Sequence, residues 1–442
     1  MNNLGDEDVY SLALLSKRLH FLALPIYCSR MHCCSLKGGY LHLYSSPLKV
    51  LRAARTALYV QKLAHVSVNP AVQELIPVLK GLSRLMSRME SVCGVQFSCV
   101  CIPRGAMDQA KVVKEFARLL EILACKACTS VSFCGIKVAS GQKSAPRSEI
   151  SPLTTLQYLN ISSSVLASPS IRTWIIRSIN LSPITNLTLN EVALSADTMS
   201  FGKDLCLLKL PSLTILSLTF FENIQIDDIV TFLCRHHRIV TLRLKGRGVI
   251  NSRTLTLPKD ALPSLTTLET TPRYMQHFLR PRGSLPSLRH VSLESDVSYT
   301  NNGVANAENA LACLARRDGV SSLLFHLPPH ETADFWLTRG SHPRRRRGRR
   351  DVERSLVHIR TLSLHLAAGH SISPRTLSLI PQWLSLFPHL RHVDFRNFSM
   401  LRLPTEEEVF LRAVADACPR METIHLGRHC RTAGELRAQR TD

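Results

Sequence analysis

One short phrase recurs along this chain: an apolar residue, two spacers, an apolar residue, one spacer and a further apolar residue. It starts at Leu63, Val66 and Val68 and returns at Cys128-Val131-Phe133, Leu156-Leu159-Ile161, Ile184-Leu187-Leu189 and Leu213-Leu216-Leu218. Further copies are Ile239-Leu242-Leu244, Leu265-Leu268-Thr270, Leu288-Val291-Leu293, Val320-Leu323-Phe325, Ile359-Leu362-Leu364, Leu390-Val393-Phe395 and Met421-Ile424-Leu426. From Cys128 onward the first positions are separated by 28, 28, 29, 26, 26, 23, 32, 39, 31 and 31 residues. Apolar residues two apart share one face of an extended chain, so each phrase predicts a short strand. Between phrases, residues 226–234, 305–314, 376–387 and 406–417 carry apolar positions three and four apart, which predicts amphipathic helices. Several strands are led in by a proline, as in Leu210-Pro-Ser-Leu213 and Phe387-Pro-His-Leu390, where the ring ends the preceding helix.

A strand and a return helix repeated at this interval bury their apolar sides only by stacking on their neighbours. The pattern is that of a leucine-rich repeat and predicts an α/β solenoid: an irregular horseshoe with parallel strands on the concave side and helices on the convex side. A doubly wound α/β domain also alternates strand and helix, but the repeated phrase and the lack of a glycine-rich phosphate loop speak against it. The Asn or Cys of the strict repeat, three residues past the last apolar position, is replaced by Ala71, Ile136, Ser164, Val192 and Asp296, so no continuous asparagine ladder is expected. Residues 81–101 are expected to hold one more unit, with its register open. The solenoid is expected over 31–427, with 428–442 as a C-terminal tail.

The spacers of each phrase fall on the concave face. They are neutral early on, as in Tyr158, Asn160, Ser162, Asn186, Thr188 and Asn190. Later they bring Arg243, Lys245, Glu269, His290, Glu294, His365, His392, Asp394 and Arg396. Arg243, Lys245, His290, Glu294, His365, His392, Asp394 and Arg396 are the candidate partner-binding residues. Arginine and lysine there suit carboxylate or phosphate on a protein partner, and the alternative is a solvated polar face.

Composition adds less. Hydrophobic residues at 45% are ample for a packed interior. The net charge of +22 takes six charges from Arg344, Arg345, Arg346, Arg347, Arg349 and Arg350, leaving +16 spread over the rest. That arginine run sits in the longest gap between phrases and is expected as a basic disordered insertion at about 339–352: a nuclear-import signal, the one place for nucleic acid, or a plain solvated loop. Asp6, Glu7 and Asp8 stand where a secretory signal would need a basic stretch, and no long apolar run occurs, so a cytoplasmic or nuclear protein without membrane contact is expected. Fourteen cysteines then read as small buried hydrophobes, including Cys128 of Cys125-x-x-Cys128. His236-His237 and His429-Cys430 lack a carboxylate at ligand spacing, so no metal or cofactor is expected. No catalytic motif is present, which predicts a protein that is not an enzyme.

The segment Asp8-Val-Tyr-Ser-Leu-Ala-Leu-Leu-Ser-Lys-Arg-Leu-His-Phe-Leu-Ala-Leu-Pro25 predicts one helix with a stripe of Val9, Leu12, Leu15, Leu19 and Leu22, closed by Pro25. It resembles the second half of the F-box of fungal, basidiomycete-like F-box proteins, which commonly carry leucine-rich repeats downstream. The resemblance implies a truncated F-box over residues 1–30, since the family's opening helix, with its Leu-Pro dipeptide, has no counterpart here. It implies that Leu12, Leu15, Ser16, Leu19 and Leu22 bind the Skp adaptor of a cullin-RING ubiquitin ligase while the repeats hold an unknown protein substrate. The other reading of this segment is a polar cap on the first repeat, leaving a repeat scaffold outside any ligase.

Overall fold

The structure, a computed structural model, describes residues 3–30, 34–35, 39–43, 64–70, 74–98, 109–135, 150–162, 169–190, 205–220, 226–246, 257–279, 285–294, 301–327, 333–334, 337, 356–366, 372–398, 404–427 and 429–438. The chain forms two compact units, Met1–Phe232 with Gly246–Asn251, and Leu233–Lys245 with Ser252–Asp442.

In the first unit, β1 (Cys34–Ser35) lies antiparallel to β2 (Tyr40–Leu43). Parallel pairing then runs in chain order through β3 (His65–Val68), β4 (Gly94–Ser98), β5 (Ser130–Cys134), β6 (Tyr158–Ser162), β7 (Asn186–Asn190) and β8 (Ile215–Phe220). In the second unit, β9 (Thr241–Gly246), β10 (Thr267–Thr270), β11 (His290–Leu293), β12 (Ser322–Leu327), β13 (Thr361–Leu366), β14 (His392–Arg396) and β15 (Thr423–Leu426) pair in parallel, again in chain order. A doubly wound sheet reverses its strand order at a switch point; neither unit does. The fold is a leucine-rich-repeat solenoid.

The phrase positions form the core. Leu159, Leu187, Leu216, Leu242, Leu268, Leu323, Leu362, Val393 and Ile424 are fully buried, each adding about 1.5–3 kcal/mol relative to exposure. Helices back them on one side. In Leu75–Arg88 the buried Leu75, Val78, Leu79, Leu82, Leu85 and Met86 recur at three and four, the face that meets the sheet. Large aromatics fill the wider gaps: Phe116 meets Phe97 and Phe133 edge-on at 5.4 and 5.5 Å in the first unit, and Trp383 meets Phe325 and Phe387 at 5.8 and 5.0 Å in the second. Helix Pro374–Leu384 starts where the Ser373 hydroxyl accepts from the Thr376 N–H at 2.9 Å, and Asp334 accepts from the Ser373 hydroxyl at 3.0 Å.

The register left open over 81–101 is fixed by β4, whose inward residues are Val95 and Phe97 with Val92 ahead of them. A further strand, β2, precedes the first phrase; Gly38 stands where its opening apolar residue belongs, which hides it from the pattern.

Both ends correct the sequence expectation. The residues expected as a C-terminal tail form β16 (His429–Thr432), antiparallel to β15, and a helix Ala433–Ala438 that buries Ala433 and Leu436. Arg437 ties that helix back by donating to the carbonyls of Ala415 and Cys418 at 2.7 and 2.9 Å. At the other end, the single helix closed by Pro25 is in fact two, Asp6–Leu15 and Lys17–Arg30, and Pro25 lies inside the second. The break falls at Ser16, which is extended (φ −151°, ψ 157°) and caps the second helix by accepting from the Leu19 N–H at 3.2 Å. Splitting the helix also rotates its faces: Val9, Ala13, Ala23, Leu24 and Tyr27 are buried, while Leu15 and Leu22 of the expected stripe point to solvent. Arg30 joins the two ends, donating to the Leu4 carbonyl at 2.5 Å and pairing with Asp6 at 3.4 Å.

Candidate partner-binding face

Helices cover one face of each sheet, and the spacer residues stand on the open one. In the second unit the register aligns them in rows. One row runs Arg243, Glu269, Ser292, Leu324, Ser363, Asp394 and His425; a parallel row contains His326, His365 and Arg396. The ion pairs follow from this alignment. Glu269 accepts from Arg243 Nε at 2.9 Å and from Lys245 Nζ at 3.0 Å, and Lys245 also reaches Glu294 at 2.5 Å. The cations stand outermost: the Arg243 side chain is 52% exposed and the Glu269 side chain 20%. Further along, Arg396 Nε pairs with Asp394 at 2.6 Å, His392 Nδ1 meets the Thr423 hydroxyl at 2.8 Å, and Arg391 pairs with Glu422 at 3.2 Å.

Burial and the crowding of like charges set the protonation of this patch. Burial lowers the Lys245 pKa, but its bonds to Glu294 and Glu269 outweigh that and raise it overall. Burial and the neighbouring Glu269 raise Glu294, while Glu269, against its own burial, is held below the usual carboxylate range by its hydrogen bond with Glu294 and by Lys245 and Arg243. Burial, the adjacent His365 ring and Lys245 bring His326 down to about 4, so it is neutral at physiological pH. Its ring lies 4.6 Å from that of His365. Asn397, in the left-handed region at φ 64°, donates its Nδ2 to the Leu366 carbonyl at 3.1 Å and sits 2.8 Å from His365 Nε2. An amide nitrogen only donates, so His365 Nε2 is the acceptor and His365 carries its proton on Nδ1.

The eight sequence-predicted residues, Arg243, Lys245, His290, Glu294, His365, His392, Asp394 and Arg396, therefore share one open face. His326 and Asn397 are not among the sequence-predicted residues, and Glu269 reads from sequence as a concave-face spacer but not as a binding residue. Glu269 and His326 occupy spacer positions that the same alternation identifies; Asn397 lies in the turn after β14, where no strand pattern reaches.

No family model matches the sequence, and no curated protein matches it. Among solved structures, the leucine-rich-repeat-containing protein LegL7 from Legionella pneumophila is similar at a TM-score of 0.36 and 12% identity, over 81% of this chain and 90% of that one. The repeat assignment rests on the strand order and register of the chain itself.

The open face of the first unit differs in kind. Its described spacers include Ser67, Gln96, Ser132, Tyr158, Asn160, Thr188 and Ser217, and none is Lys, Arg, Asp or Glu. Neutral bonds cross it: Asn160 Nδ2 to the Ser132 hydroxyl at 3.1 Å and the Thr219 hydroxyl to Asn190 Oδ1 at 2.9 Å. Tyr40 stacks on His65 at 4.5 Å, and a Cβ at Gly94 would come within 2.5 Å of His65 Nδ1, so glycine is what lets that ring lie flat.

On the N-terminal helices, Leu12 and Leu19 are half-buried, Ser16 is the exposed cap residue, and Leu14, Leu15 and Leu22 are 45, 72 and 55% exposed. The arginine run 344–350 lies outside the described residues, as do Ala71, Ile136, Ser164, Val192 and Asp296. Cys128 is buried, donates to the Cys93 and Ser130 carbonyls and has its thiol pushed up to about 12 by burial, whereas Cys125 is exposed. Among the described residues no cluster of three or more His, Cys, Asp or Glu is placed to hold a metal, and no helix is long and apolar enough to cross a membrane.

Proposed function

We propose that the chain is a protein-recognition scaffold and serves as a substrate receptor of F-box type, with its repeats holding a target protein and its N-terminal helix pair docking the Skp adaptor of a cullin-RING ubiquitin ligase. This reading assigns no chemistry to the chain itself. The observation that carries the adaptor half is the outward placement of Leu15 and Leu22: two large apolar side chains in the segment that resembles the F-box lie where a partner reaches them. The inward side of the same helices, with Val9, Ala23, Leu24 and Tyr27 buried, equally suits a cap on the first repeat. Capping alone leaves the outward leucines unused, and on that reading the chain is a scaffold outside any ligase.

Co-purification of the full chain with the Skp adaptor separates the two. The receptor reading expects capture by the natural chain and at least about ten-fold less by a Leu15→Asp, Leu22→Asp variant of unchanged circular dichroism. Capture of the variant at the natural level sinks adaptor docking at these residues. No capture by the natural chain leaves the scaffold.

A further inference from the structure

The residue leading into each strand forms a second repeated row, at the edge of the sheet. In the first unit this position holds Ala64, Cys93, Thr129, Gln157, Thr185 and Thr214; in the second it holds Val240, Thr266, Arg289, Ser321, Arg360, Arg391 and Glu422. From Ala64 to Thr214 in the first unit and from Thr266 to Glu422 in the second, each donates its backbone N–H to the carbonyl of the corresponding residue in the preceding repeat, at 2.8–3.0 Å. Neighbours in the row are therefore spaced about 4.8 Å apart. The first unit's row is uncharged among the described residues, with hydroxyls such as Thr214 Oγ1 donating to the preceding carbonyl at 3.0 Å. The second unit puts three exposed arginines there.

Three more cations, Arg238, Arg316 and Arg420, stand exposed in the turns just ahead of the same row. Arg316 and Arg420 follow the C-termini of helices Asn301–Leu314 and Pro404–Ala417, where the helix dipole favours positive charge. That does not account for Arg289, Arg360 and Arg391, which sit at the strands and not at helix ends. Arg289 spends one Nη1 on the Gly319 carbonyl at 3.0 Å, a neutral acceptor, and Arg391 has Glu422 at 3.2 Å. Arg238, Arg316, Arg360 and Arg420 have no carboxylate in pairing range among the described residues. Of these six arginines, only Arg391 has a carboxylate partner among the described residues, so the edge carries an excess of positive charge.

We infer that this edge of the second unit docks an acidic segment of a partner protein. The inference rests on the scaffold reading above and names the chemistry of its partner. Guanidinium forks match carboxylates in pairs, and a backbone ladder holds their stems at regular spacing. A single-stranded nucleic acid fits less well, because no aromatic ring stands among the leading residues to stack a base.

The test uses the full chain and a fluorescent, short glutamate-only peptide, with binding read by anisotropy at physiological salt. An Arg289→Ser, Arg360→Ser, Arg391→Ser variant is expected to bind about ten-fold more weakly, and the matching triple Lys variant, which keeps the charge, to recover most of the loss. Unchanged binding by the Ser variant overturns the inference. So does loss that appears only when residues 344–350 are replaced, and so does tighter, equally Arg-dependent binding of an oligothymidylate. Adaptor capture by the Ser variant is expected to stay intact, so failure here and failure of the receptor reading give different results.

Discussion

The two units are built by one rule and surfaced by two. Both stack parallel strands in chain order over a leucine core, with the same backbone bond from each strand-leading residue to the last. Where those positions face solvent, the first unit uses serine, threonine, asparagine and glutamine, whose short side chains bond to their neighbours. The second uses long charged groups: Arg243, Lys245, Glu269 and Glu294 on the open face, Arg289, Arg360 and Arg391 along the edge. A solenoid core is indifferent to these choices, because spacers contribute little burial. On the proposed reading the difference serves recognition more than folding, and that proposal can be broken at several levels.

The largest effects belong to the shared rule. Phe116→Ala in the first unit and Trp383→Ala in the second each remove a ring that touches two others, and each is expected to cost about 3–5 kcal/mol in urea unfolding. Equal costs support one construction rule. If only one of the two is destabilised, the units do not share their energetics.

Next comes the charged patch. Glu269→Gln removes the carboxylate shared by Arg243 and Lys245, with an expected loss of about 1–2 kcal/mol, discounted for its partly exposed partners. The natural protein is expected to lose a comparable amount between low and high salt, and the variant to respond less. No loss on substitution makes the network a surface feature with no share in stability.

Smaller still is the acid response of His326. Its folded-state pKa of about 4 lies below its ordinary 6.5, so the unfolded chain binds the proton first as pH falls. Its contribution is whole above about pH 6.5 and disappears as pH drops toward 4. The natural chain should lose about 1 kcal/mol across that window through this group, discounted because the ring is half-exposed. His326→Gln should flatten that part of the stability–pH curve; an unchanged curve rejects the assignment. Glu294, raised by burial and by Glu269, takes up its proton at a higher pH than an ordinary carboxylate, so the comparison needs the variant and not the natural curve alone.

Sequence alone reached the strands, because a leucine phrase with a fixed interval leaves one register per repeat. Val92-Val95-Phe97 escaped because apolar residues of the preceding helix Leu75–Arg88 crowd the same stretch, and β2 escaped because Gly38 breaks its phrase. The N-terminal segment misled through a local effect: Ser16 offers its hydroxyl as a cap and divides what the apolar spacing reads as one helix. The face residues were legible as spacers, but their pairing was not. That Lys245 bridges two carboxylates depends on strand-to-strand register, and that His365 is protonated on Nδ1 depends on a turn asparagine thirty-two positions away in the chain.

The smallest expected effect tests the comparison most directly, because it exchanges the surfaces while leaving the core alone. Thr185 and Thr214 hold the strand-leading position in the first unit, and each hydroxyl donates to the preceding carbonyl, at 3.2 and 3.0 Å. Those carbonyls already accept two backbone N–H bonds from the next repeat, as Thr185 does from Thr214 and Ile215 at 2.9 Å each. The hydroxyl is thus a third donor to an already satisfied acceptor. Thr185→Arg and Thr214→Arg should cost no more than about 0.5 kcal/mol each in urea unfolding. On the same argument the double variant should bind the glutamate-only peptide more tightly than the natural chain, since it writes the second unit's edge into the first. A cost of several kcal/mol would mean that the threonine row holds the first unit together, and that the two surfaces were set by folding after all.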